Sequence, residues 1–193
     1  MINFLFPTPV LFEKIFLPTN LITKEVLDLQ KKVSSTSLLS GHAGSRIDIT
    51  NEILEDYHLP NLSNLLNLIQ KNITNYCNQV NLKNQYIVHS WINFNPTHAY
   101  NRRHCHPGST VSGVFYIKYP KDSCSPISFF RSREYSDYGW SKHLIKDIPE
   151  MNSSLMYTPK EGELILFPSY LEHEVSPNKS KEDRISMSFN CAP

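Results

Sequence analysis

The feature that most constrains this chain is a change of hydrophobic period near Gln85. Before it, apolar residues recur at threes and fours. Leu62, Leu65, Leu66, Ile69, Ile73 and Tyr76 follow Pro60 and Asn61 or Ser63, residue types that open helices. A shorter helical segment, Lys24 to Gln30, follows Thr23, the expected N-cap. After Gln85 the period is two, in short β-rich runs separated by Pro, Gly, Asn and Ser. The runs are Tyr86–Phe94, Thr110–Tyr119, Ile127–Phe130, Ser154–Tyr157, Glu163–Phe167, Leu171–Val175 and Arg184–Asn190. Strands in this number after two helices predict a mostly β fold, an antiparallel sandwich or barrel with helices on one outer face. Residues 1–20, with three prolines among Phe6, Phe12 and Phe16, predict an opening strand and turn.

A chain of 193 residues, 40% of them hydrophobic, can bury one sizeable core. One domain over 1–193 is expected, with the strand and helices of 1–84 packing on a barrel of 85–193. Nineteen Lys and Arg against 18 Asp and Glu leave a net charge of +1, and no basic block is long enough to track a phosphate backbone. Nucleic acid is therefore not an expected partner. The N-terminus lacks the basic start and apolar run of a signal peptide, and no stretch approaches the roughly 20 apolar residues of a membrane span. A cytoplasmic protein without a membrane partner is expected. Cys77, Cys105, Cys124 and Cys191 are irregularly spaced and are expected to be free thiols.

The chemistry concentrates in Asn101-Arg102-Arg103-His104-Cys105-His106-Pro107-Gly108. On an extended strand residues i and i+2 share a face about 6.6 Å apart, so His104 and His106 can reach one metal ion while Cys105 turns away. His173 is the third candidate ligand. Alternation in Leu171-Glu172-His173-Glu174-Val175 sends the two flanking carboxylates to the opposite face. Three imidazoles suit Fe(II), Zn(II), Cu(II) or Ni(II) and leave coordination positions open. The lone histidines His42, His58, His89, His98 and His143 are expected to be structural or exposed.

Arg184 follows His173 across the turn from Ser176 to Lys181, an arrangement that predicts neighbouring antiparallel strands. Arg184, Ser186 and Ser188 form a polar row opposite Ile185, Met187 and Phe189. A guanidinium fork beside a hydroxyl holds a carboxylate well, which points to a dicarboxylate cofactor.

These residues resemble the 2-oxoglutarate and Fe(II)-dependent oxygenase superfamily, particularly a family with a His-x-His-Pro-Gly segment followed by Ser-Gly-Val-x-Tyr. Here the segment runs His104-Cys105-His106-Pro107-Gly108 and on through Ser112-Gly113-Val114-Phe115-Tyr116. A second matching block runs from Glu161 through Phe167-Pro168 to His173-Glu174-Val175, and a third is Arg184-Ile185-Ser186-Met187-Ser188-Phe189-Asn190. The opening Leu5-Phe6-Pro7-Thr8-Pro9-Val10 is also similar to the family's start.

The resemblance implies a double-stranded β-helix, a jelly-roll barrel whose open end holds Fe(II) and the cosubstrate 2-oxoglutarate, with O₂ as the other reactant. It implies His104 and His173 as iron ligands. His106 stands where the superfamily has a carboxylate ligand, which makes the site more positive by one charge. Arg184 and Ser186 would hold the distal carboxylate of 2-oxoglutarate, with Tyr116 and Asn93 as further hydrogen-bonding residues. The implied reaction is hydroxylation with release of succinate and CO₂. Two alternatives stay open: a three-histidine iron dioxygenase that does not use 2-oxoglutarate, and a metal-bound module without turnover. The substrate, a small molecule or a protein side chain, is not legible, nor is the oligomeric state. The aromatic segment Tyr135–Trp140, within 131–152, is expected to be a lid or binding loop.

Overall fold

The computed structural model describes residues 7–34, 36–37, 44–123, 125–131 and 154–193. The aromatic segment Tyr135–Trp140, the opening residues up to Phe6, and Cys124, His42 and His143 lie outside the described residues. Two antiparallel sheets face one another. The larger contains β1 (Leu11–Lys14), β2 (Thr36–Ser37), β3 (Ser45–Asp48), β4 (Tyr86–Asn95), β6 (Val111–Lys118), β9 (Glu163–Pro168) and β11 (Arg184–Ala192), in the order β1-β9-β6-β11-β4-β3-β2. The smaller contains β5 (Asn101–His104), β7 (Ile127–Phe130), β8 (Ser154–Tyr157) and β10 (Glu172–Val175), in the order β5-β10-β7-β8. This is the double-stranded β-helix, mostly β with flanking helices α1 (Thr19–Gln30), α2 (Asn51–Asp56) and α3 (Pro60–Gln79).

The larger sheet is covered on both sides, and each side follows from strand alternation. Ile185, Met187, Phe189 and Cys191 of β11 point to the helices and have no measurable exposure. They join Ile22, Val26 and Leu29 of α1 and Leu62, Leu65, Ile69 and Ile73 of α3 in the main core. Gly113 of β6 is placed opposite Phe189 and Leu166, and a β-carbon there would overlap both side chains. Between the sheets a second cluster holds Val114, Tyr116, Tyr119, Ile127, Phe129, Ile165, Phe167 and Leu171. This cluster fills one part of the barrel and leaves the rest open.

Several expectations need correcting. The first helix begins at Thr19 after Pro18, not at a Thr23 cap, and no side chain caps it. The start of α3 is satisfied from outside: the Glu25 carboxylate accepts from the backbone N–H of Asn61 (3.0 Å) and Leu62 (2.9 Å). A third helix, α2, is capped by the Thr50 hydroxyl. Strands β3 and β5 extend the sheets beyond the seven expected runs. His173 and Arg184 are not on neighbouring strands, because β10 belongs to the smaller sheet and β11 to the larger. The connection between them is too long for a tight hairpin and crosses the barrel instead, anchored by buried Asn178. The Asn178 N–H donates to Ala99 O (3.0 Å), and its side-chain amide donates to Asn95 O (2.9 Å) and Glu182 O (2.8 Å).

Among the described residues no helix is long and apolar enough to cross a membrane. Cys77, Cys105 and Cys191 are free. His58 and His98 are exposed, have positive φ (48° and 69°), and do not belong to the metal-ligand group.

Candidate metal centre

Sheet register brings the first two histidines together. β5 lies beside β10 with His104 opposite His173, and their ring centroids are 4.4 Å apart. His106 comes two residues after the end of β5, not on the same strand as expected. Its backbone N–H donates to Ser169 O (2.9 Å), and Gly108, with φ of 84°, closes the turn behind it. The His106 ring is then 5.0 Å from that of His104 and 5.2 Å from that of His173. The ligating atoms of all three lie within 4.8 Å of one another. Two bonds of about 2.1 Å to one ion put their ligand atoms about 3.0–3.4 Å apart at octahedral or tetrahedral angles, so the rings close by about 1–2 Å on a shared ion.

Backbone carbonyls and burial prepare these rings as metal donors. The Nδ1–H of His104 donates to the Arg102 carbonyl (2.6 Å), and that of His173 donates to the Leu171 carbonyl (2.9 Å). In each case the carbonyl two residues upstream fixes the tautomer and leaves Nε2 with its lone pair. Burial, reinforced by the neighbouring imidazoles, pulls the pKa of His173 down to about 3. Burial and then His104 pull that of His106 down to about 4. Among the described residues no carboxylate joins the group. Glu172 turns outward to pair with Arg103, whose guanidinium stacks 4.0 Å over Phe130.

The triad opens into a cavity of about 620 Å³ that Arg184, Ser186, Tyr116 and Asn93 also line. All seven residues expected at the site therefore share one cavity. Arg184 is only 1% exposed. Its Nη1 donates to the Ser125 hydroxyl and makes a long contact (3.4 Å) to Ser176 O, while its Nε has no partner. No carboxylate pairs with it among the described residues, and burial lowers its pKa. The Tyr116 hydroxyl and Asn93 Oδ1 are also buried without partners, although Asn93 Nδ2 donates to Ser188 Oγ (2.9 Å). A buried guanidinium without a counter-ion is costly. The carboxylate of a bound dicarboxylate would supply that counter-ion, and three neutral imidazoles suit Fe(II). The cofactors Fe(II) and 2-oxoglutarate fit the residues present.

Sequence reasoning missed the support behind Arg184. Ser125 is hydrogen-bonded to Ser123 (2.9 Å), which donates to Asn178 Oδ1 (2.7 Å). These residues come from two loops more than fifty positions apart and carry only ordinary turn composition, so no local signal marks them. Trp91, whose ring is 6.1 Å from that of His106, was also missed. Its place on the cavity face of β4, two residues before Asn93, was the available signal.

The sequence model of a family described as "Putative 2OG-Fe(II) oxygenase" matches residues 89–190, just over half of the chain. A search of curated proteins gives no match. Among solved structures, a prolyl-4-hydroxylase from Pseudomonas putida is similar with a TM-score of 0.60 at 16% identity, covering 95% of this chain and 92% of that one. The non-heme alpha ketoglutarate dependent carbocyclase SnoK from nogalamycin biosynthesis gives 0.69 at 10% identity, covering 95% and 79%. HygX from Streptomyces hygroscopicus, solved with nickel and 2-oxoglutarate bound, gives 0.64 at 10% identity, covering 96% and 83%. At these identities the structural likenesses establish the shared fold. The matched segment begins on β4 and ends on β11, so it contains all three histidines and Arg184, and the chain belongs to the 2OG-Fe(II) oxygenase family.

Proposed function

We propose that this protein is a 2-oxoglutarate- and Fe(II)-dependent hydroxylase acting on a small molecule, with residues 1–193 forming one domain. His104, His106 and His173 hold the metal through Nε2 of the two tautomer-fixed rings and a ring nitrogen of His106. Arg184 receives the distal carboxylate of 2-oxoglutarate, with Ser186, Tyr116 and Asn93 as hydrogen-bonding neighbours. When bound together, iron and 2-oxoglutarate supply the oxidising chemistry, using O₂ and releasing succinate and CO₂. The protein's own work is to keep the ligands neutral, offer a buried cation to the cosubstrate, and exclude water with Phe129, Phe167 and Tyr116.

The observation that carries this reading is the buried Arg184 guanidinium without a counter-ion in the same cavity as the three-histidine cluster. O₂-dependent formation of succinate from 2-oxoglutarate by the Fe(II)-loaded protein tests it, and Arg184→Met is expected to abolish that formation at ordinary 2-oxoglutarate concentrations. A second reading, a three-histidine dioxygenase whose substrate itself chelates iron, is favoured by the absence of a carboxylate from the cluster. O₂ consumption without succinate would select it over the first.

A further inference from the structure

The cavity has a second polar end that cofactor binding does not explain. On β3 and β4, Arg46, Asp48, His89 and Trp91 face the same cavity as the triad, and Arg102 faces it from β5 of the opposing sheet. Asp48 is engaged within this group through one oxygen: its Oδ1 pairs with Arg46 (3.2 Å) and with His89 Nε2 (3.3 Å). Arg46 is held twice, by Asp48 and by the Trp91 ring 5.4 Å beneath its guanidinium carbon. A guanidinium fixed on two sides keeps its other N–H groups presented at low entropic cost. Trp91 in turn lies next to His106, with ring centroids 6.1 Å apart, so this receptor adjoins the metal centre.

Charge then decides what it receives. Among the described residues lining the cavity are three guanidinium groups, of Arg46, Arg102 and Arg184, and one carboxylate, that of Asp48, which leaves two positive charges. Fe(II) and the dianion of 2-oxoglutarate cancel one another, and three neutral imidazoles add nothing. The loaded cavity therefore keeps its positive surplus, although the whole chain carries only +1. Low-dielectric walls concentrate such a field within a cleft.

We infer that the substrate is a small organic anion, whose carboxylate or phosphate group is bound by Arg46 and Arg102 at the β3–β4 end of the cavity. This rests on the function proposed above, because the charge balance includes iron and 2-oxoglutarate. A cavity of about 620 Å³ suits a small molecule. Trp91 sets the distance from the bound anion to the metal by fixing Arg46.

The test uses the full chain loaded anaerobically with Fe(II) and saturating 2-oxoglutarate, whose visible charge-transfer band first verifies the underlying reading. Phenylacetate, phenyl phosphate, phenylacetamide and phenethylamine are then titrated, followed by the shift of that band and by tryptophan fluorescence. At least one anion is expected to bind roughly tenfold or more tighter than the neutral amide, about one charge-assisted hydrogen bond, and the amine weakest. Which anion prevails separates a carboxylate substrate from a phosphate one. Arg46→Gln and Arg102→Gln are each expected to remove most of the preference, and exposed Arg102 keeps the test available should Arg46→Gln fail to fold. A band with no anion preference, including no binding of any probe, overturns this inference alone. Absence of the band in the parent overturns the proposed function and this inference with it.

Discussion

The two faces of β11 are built from alternate residues of one nine-residue strand, yet they obey opposite rules. Toward the helices, Ile185, Met187, Phe189 and Cys191 are buried in an apolar cluster whose one hydroxyl, that of Tyr76, donates to Pro9 O (3.0 Å). Toward the cavity, Arg184 is equally buried but leaves Nε unpaired, and it faces Tyr116 and Asn93 groups that are also unpaired. The first face lowers the free energy of the fold; the second raises it, a cost that the proposed dicarboxylate ligand would recover. Buried polarity without partners thus separates the binding face from the packing face more sharply than burial does.

Substitutions can break this contrast. The largest effect is expected for Phe189→Ala, which empties the space opposite Gly113 and should cost about 3–5 kcal/mol in urea unfolding. If stability were retained, the helix-facing side would not be the stabilising one. Next comes Arg184→Met. It removes an uncompensated buried charge, so the apo protein should melt no lower than the parent, while 2-oxoglutarate affinity by calorimetry falls about 100-fold. A large loss of stability with unchanged affinity would reverse the assignment of the two faces.

Acidification probes the cavity side through the histidines. Folded His173 and His106 titrate at about 3 and about 4, below the ordinary value of 6.5, so the unfolded chain takes up protons that the folded chain refuses. Their contribution is complete above pH 6.5 and is lost as the pH falls to about 4 for His106 and about 3 for His173. Each should cost the metal-free protein roughly 1–2 kcal/mol between pH 7 and pH 5. Thermal melts should show this decline, and His173→Gln should remove about half of it; an equal decline in the variant would contradict the assignment. The smallest effect is expected for Ser125→Ala, which frees Arg184 Nη1 from its hydroxyl partner. It should weaken 2-oxoglutarate binding by about tenfold, or about 1.4 kcal/mol, with little change in melting temperature.

Much of this was legible in the sequence because it is local. The period-two runs became β4, β6, β7, β8, β9, β10 and β11 with boundaries moved by a residue or two, and the row of Arg184, Ser186 and Ser188 faces the cavity as alternation requires. The strand Asn101–His104 is absent from the period-two runs because it carries no apolar alternation, although the histidine spacing assumed extended backbone there; it is held by pairing with β10. Sheet assignment was equally hidden. Whether the segment from Ser176 to Asp183 forms a hairpin or crosses between sheets depends on how Asn178 is held by Ala99 and Asn95, contacts about eighty residues apart in sequence. The same holds for the serines behind Arg184 and for Arg46 on Trp91. Chemistry carried by one strand could be read directly, whereas chemistry assembled between strands required the fold.

His104, His106 and His173 with the uncompensated Arg184 are proposed to form a single cofactor site. Anaerobic titration of the protein with Fe(II) and 2-oxoglutarate tests it most directly. A visible charge-transfer band is expected that saturates with one equivalent of each, and that is lost in His104→Ala, His106→Ala, His173→Ala and Arg184→Met. Tight Fe(II) binding with no band on adding 2-oxoglutarate, or a band that survives His106→Ala unchanged, would contradict it.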